Sequence, residues 1–105
     1  MTKSTSKIPT DLRLAPAQEV YYVMLMEEAP YLMGLFDWHK RICFEDRVDK
    51  FIQQASHGES IMAKFYTGIW FGKNEFEFDL FEAVKSLDEL NRNRIVAWLK
   101  TPFWP

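Results

Sequence analysis

The sequence predicts a mainly α fold, a compact bundle of four to five short helices with one short extended segment near residues 75–79. Three observations carry that prediction. Between Ser56 and Glu89 the chain repeats a Ser/Asp-x-x-Glu signal three times, the pattern that satisfies orphan amides at a helix start. Behind these signals, apolar residues recur at intervals of three and four. Hydrophobic residues make up 48% of the 105-residue chain and aromatics 16%, enough for one core without disulfides or metal.

Taken in order, residues 1–10 are rich in Ser, Thr and Lys and read as a mobile tail, leaving 11–105 as a single helical domain. Pro16 suits a first helical position, and Pro30 bounds a helix from Pro16 to about Glu28. Its middle, Val20 to Met26, is apolar on all sides and also fits a buried strand. Helix-forming flanks, Ala17-Gln18-Glu19 and Glu27-Glu28-Ala29, favour helix. Pro30 begins the next element, in which Tyr31, Leu32, Leu35, Phe36, Trp38 and Ile42 fall close to helical spacing, with Gly34 as a weak point. A helix from about Asp46 to Ala55 is expected, with Phe44, Val48, Phe51, Ile52 and Ala55 on one face.

The second half is more strongly marked. Ser56 and Glu59 frame a capping box before Ile61, Met62, Phe65, Tyr66, Ile69 and Trp70, and Gly72 is placed to end the helix. Lys73 to Phe78 alternates like a strand, but a single short strand without a partner is unstable, so a connector is expected. Asp79-x-x-Glu82 opens a short helix to about Lys85. Ser86-x-x-Glu89 opens another to about Lys100, with Leu87, Leu90, Ile95, Trp98 and Leu99 as its buried side and Thr101-Pro102 as its stop.

Bulk charge argues against electrostatic nucleic-acid binding. Thirteen basic residues face fifteen acidic ones, a net charge of −2, so the basic excess behind counterion release is missing. A lone cysteine, Cys43, suits a reducing compartment, and the polar N-terminus has no apolar signal segment. The longest apolar run, Val20 to Met26, is far below the roughly 20 residues of a membrane span. A cytoplasmic location without membrane contact is expected.

Candidate chemistry is sparse. His39 and Cys43, four residues apart, would share a helical face, yet a structural zinc site wants four ligands and only His57 and carboxylates remain. A Cys43–His39 nucleophile pair oriented by Asp37 or Asp46 would need a thiolate-stabilising site that nothing in the sequence supplies. His57, beside Gly58, reads as a turn residue. Most carboxylate pairs include cap positions, and the four glycines make no phosphate-cradling motif. No catalytic residue, metal or cofactor is therefore expected.

Three surface features remain. Lys40, Arg47 and Lys50, with Arg41 beside them, lie near one helical face, though Glu45, Asp46 and Asp49 interleave. Glu75, Glu77, Asp79 and Glu82 form an acidic stripe that, in an extended backbone, would project carboxylates about 7 Å apart. Such a row matches a partner's basic groove. The C-terminal Phe103 and Trp104, set between prolines, either fold back over the core or present an anchor for a partner.

From Ala55 to Leu99 the chain resembles an uncharacterised family of small proteins from conjugative plasmids and phages. The likeness lies in Gly58, the apolar helix through Phe65 and Trp70, Phe78-Asp79-Leu80, and Leu87-Asp88. The resemblance implies a mobile-element accessory protein. The leading expectation is a non-enzymatic protein–protein interaction module, such as an inhibitor of a host defence complex of the CRISPR type. It would use Glu75, Glu77, Asp79, Glu82, Phe103 and Trp104. One alternative is a small nucleic-acid-binding regulator using Lys40, Arg41, Arg47 and Lys50; another is a small Cys/His-centred enzyme or metal protein. The all-round apolar Val20–Met26 segment fits a homodimer interface as readily as a core.

Overall fold

The structure, a computed structural model, describes residues 8–105; the expected N-terminal tail falls almost wholly outside the described residues. The protein is mainly helical. In chain order it runs α1 (Pro16–Glu28), a 3-10 helix (Pro30–Leu35), β1 (Phe36–Asp37), β2 (Ile42–Cys43), α2 (Glu45–Gln54), α3 (His57–Phe71), α4 (Leu80–Ser86) and α5 (Glu89–Lys100). The chain divides into two compact units, one running to Glu45 and including Pro105, the other Asp46–Trp104. Among the described residues, no helix is long and apolar enough to cross a membrane.

In the first unit, α1 is a helix and not a strand. The side chain of Gln18 reaches back to accept the Ala15 amide (2.9 Å), and Pro16 occupies the first turn as expected. Tyr21, Tyr22 and Leu25 are buried, whereas Val20 and Met26 are exposed, so the all-apolar segment has one inward face. After Ala29 the helical expectation needs correction: it holds only as a 3-10 helix to Leu35. There the chain turns into an antiparallel hairpin pairing Phe36 with Cys43 and Asp37 with Ile42.

Local chemistry explains the change. The Asp37 carboxylate accepts the Lys40 amide (3.0 Å), and Arg41 adopts a left-handed conformation (φ 57°), which together close a four-residue loop. Tertiary packing secures it. Phe36 and Trp38 stack (ring centres 4.6 Å apart), while Tyr21 meets Phe36 at 5.9 Å and Tyr22 meets Trp38 at 4.9 Å, both edge-on. Each such pair contributes about 0.5–1.5 kcal/mol beyond area burial, more than a short helix around Gly34 would gain from propensity. The Trp38 indole donates to the Met33 carbonyl (3.3 Å).

In the second unit the caps decide the boundaries. Ser56 Oγ accepts the Glu59 amide (3.2 Å), and α3 ends at Gly72, whose φ of 70° carries the left-handed turn. Ile61, Met62, Phe65, Tyr66 and Ile69 are buried, as their spacing predicts. Ser60 ties α3 to α2 by donating to the Ile52 carbonyl (2.8 Å). Asp79 caps α4 by accepting from the amides of Phe81 and Glu82.

Two expectations for α5 are corrected. Ser86 is the last residue of α4, and the cap of α5 is Asp88, whose carboxylate accepts the Asn91 amide (2.9 Å). Asp88 wins because an ionised acceptor satisfies the orphan amide more strongly than a hydroxyl and also favours the positive end of the helix. Leu90 and Leu99 stand in solvent, 58% and 56% exposed, while Leu87 and Ile95 are buried. The 12-residue helix thus turns a narrower apolar face inward than its sequence suggests.

A candidate interaction surface

The connector between α3 and α4 is shaped by one side chain. Asn74 donates through Nδ2 to the Phe78 carbonyl (2.9 Å) and accepts the Phe78 amide through Oδ1 (2.6 Å). These two hydrogen bonds clamp a turn at Glu75–Phe76, and Glu77 takes a positive φ of 62°. The clamp also presents the Phe78 ring to Phe65 (5.6 Å). No strand pairing involves these residues, so the segment is a connector, as the lack of a partner strand predicts.

At the C-terminus, Trp98 on α5 organises the tail. Its indole N–H donates to the Phe103 carbonyl (3.2 Å), and its ring meets Trp104 edge-on at 5.1 Å and Phe65 edge-on at 5.8 Å. The tail therefore folds back, and does so with its last large ring outside: Trp104 is 59% exposed and Phe103 half-buried.

Connector, tail, α3, α5 and the start of α4 line an open apolar groove of about 310 Å³. Phe65, Ile69 and Ile95 are its buried lining residues; Phe78 and Trp98 are half-buried, and Leu80, Leu99 and Trp104 are exposed at its margin. Lys64 and Lys73 are the charged residues lining it. Leu80 also begins an apolar face of α4, because Leu80, Phe81 and Val84 are neighbours at helical spacing and all three are exposed. Phe81 is 79% exposed, a position that costs hydrophobic free energy unless something covers it.

The acidic stripe is distributed differently from the regular row the sequence suggests. Glu75 is half-buried and pairs with Lys73 (3.2 Å). Glu77 is exposed on the turn, Asp79 is occupied as a helix cap, and Glu82 contacts His57 Nε2 at 2.6 Å. A pitch of about 7 Å requires extended backbone throughout, and the Glu75–Phe76 turn interrupts it. His57 is the first residue of α3, and its contact with Glu82 links that helix to α4 across 25 residues of sequence.

The basic residues do not share one helix. Lys40 and Arg41 belong to the hairpin loop, where the Arg41 guanidinium donates to the Arg13 carbonyl (2.8 Å); Arg47 and Lys50 lie on α2. The same correction applies to His39 and Cys43: the first is in the loop and the second on β2, so helical spacing does not align them. Burial pushes the Cys43 thiol up to about 12, with the Glu45 carboxylate adding to the effect. Among the described residues, no three His, Cys, Asp or Glu side chains gather to hold a metal ion.

Sequence reasoning singled out Phe103 and Trp104 but missed the groove, which Trp104 lines and Phe103 does not. Phe78 reads in the sequence as connector and Leu99 as helix packing, while Lys64, Leu80 and Phe81 carry no packing role of their own there. Leu80 and Phe81 directly follow the Asp79 cap, and nothing in the letters themselves marks them as exposed. Comparison with protein-family models, curated proteins and solved structures gives no match for the chain. The class that fold and surface define is accordingly a small, mainly helical protein with an exposed apolar groove.

Proposed function

We propose that the protein is a non-enzymatic interaction module that docks a partner protein on the surface running from the groove onto α4. The observation that carries this reading is the cluster of exposed large apolar side chains, Leu80, Phe81, Val84, Leu99 and Trp104, adjoining an apolar depression. Scattered exposed apolar residues are ordinary, whereas a contiguous group around a concavity is a feature of recognition sites. Aromatic anchors such as Trp104 and Phe81 are the residue types that dominate binding energy when covered. The folded-back tail supplies Trp104 as a fixed element, which lowers the entropy lost on docking.

The test is affinity capture from host lysate with wild type, Phe81→Asp and Trp104→Ala. Wild type is expected to recover a stoichiometric partner, and each variant to lose most of it while keeping its helical circular dichroism. Recovery of no stoichiometric partner, or equal recovery by all three proteins, would overturn the proposal. A host defence complex is one identity this capture distinguishes.

A further inference from the structure

We propose that the groove of the second unit receives an acidic, apolar segment of a partner protein, seating a Leu or Phe side chain between Trp98 and Phe78 with a carboxylate against Lys64. This rests on the interaction-module reading and adds the chemistry of the occupant.

Charge selects the sign. The charged side chains lining the groove are both lysines, and no carboxylate lines it. The Lys73 ammonium is 3.2 Å from Glu75 and so already has a counter-charge. Lys64 has none among the described residues. It is half-buried on α3 and lines the groove. A basic segment would meet uncompensated like charge; an acidic one would complete the pair as apolar contact excludes water.

Shape selects the class. A small amphiphile is normally held with about 70–90% of its surface buried. Here the margins formed by Leu80, Leu99 and Trp104 are each at least half exposed, and the apolar surface continues past the groove onto Phe81 and Val84. An open depression that runs into a wider apolar face suits the side chains of an amphipathic segment laid across it.

The experiment titrates the full-length, 15N-labelled chain with two acetylated, amidated peptides. They repeat Leu and Phe at the same helical spacing, one with Glu between the apolar residues and one with Lys. Decanoate is the third titrant, and the Trp98 and Trp104 indole N–H resonances are the readout. The Glu peptide is expected to shift both indoles saturably and to bind about three- to tenfold more tightly than the Lys peptide. Lys64→Glu should reverse that order, and Lys64→Met should remove it while preserving the apolar stem.

Unmoved indoles, equal affinity for both peptides, a preference that survives Lys64→Met, or saturable binding of decanoate alone would each overturn the proposal. The two readings fail separately: loss of peptide binding with a Phe81-dependent partner still recovered ends the groove assignment and leaves the module reading in place.

Discussion

Cys43 is the residue most open to a chemical misreading, because a single thiol near a histidine invites a nucleophile assignment. Its raised pKa of about 12, from burial and then from Glu45, implies a neutral thiol throughout the physiological range. Alkylation by iodoacetamide at pH 8 should be at least about 100-fold slower in the folded protein than in urea, since the thiolate is the reacting species. The linkage has a definite sign. Between the ordinary value of 9.0 and about 12, the unfolded chain loses the Cys43 proton while the folded one keeps it, so this residue's contribution makes stability fall as pH rises through that window. Denaturation of wild type and Cys43→Ala side by side over that range isolates the effect; parallel pH profiles would contradict it. Asp79 offers a second check at this scale: Asp79→Ala removes the acceptor for two amides and should cost about 1 kcal/mol in urea denaturation.

At the scale of elements, the connector and the hairpin show how few groups determine a local path. Asn74 holds both the amide and the carbonyl of Phe78, and the ring so placed meets Phe65. Asn74→Ala should cost about 1–2 kcal/mol and speed amide exchange at Phe78, with α3 left protected. A variant that unfolds at the wild-type denaturant midpoint would show that the turn holds without its clamp. In the first unit, Leu25 is wholly buried on the inward face of α1, and Leu25→Ala should cost about 2–5 kcal/mol. Val20→Ala, five residues earlier and 54% exposed, should change stability by no more than about 0.5 kcal/mol. That contrast tests the observed orientation of an apolar-all-round segment.

For the molecule as a whole, the exposed apolar face is the feature with the widest consequence. If Phe81 is a contact residue and not part of the core, replacing it with a charge leaves the fold intact. Phe81→Asp should shift the denaturation midpoint by an amount equivalent to no more than about 0.5 kcal/mol, while raising solubility. A loss of several kcal/mol would place Phe81 in the core. The same face explains why the acidic stripe recedes as a recognition element. Glu75, Asp79 and Glu82 each have an intramolecular partner, whereas Phe81 and Trp104 leave large apolar areas in solvent.

The sequence by itself determined the helices of residues 45–100 nearly to the residue, because caps and three-four spacing act through bonds within a single turn and leave their marks in adjacent letters. Ser56, Gly72 and Asp79 are read directly; even the substitution of Asp88 for Ser86 as cap moves a boundary by two residues. It also showed that Phe103 and Trp104 needed a structural explanation. Tertiary structure alone decided the hairpin at 36–43, where contacts of Tyr21 and Tyr22 with Phe36 and Trp38 override helical spacing. It alone decided the exposure of Leu80, Phe81 and Leu99, and the His57–Glu82 contact between helices. It also formed the groove, whose lining is drawn from α3, the connector, the start of α4, α5 and the tail. Such features depend on which of several apolar faces turns inward, and that choice is made by the whole packed chain.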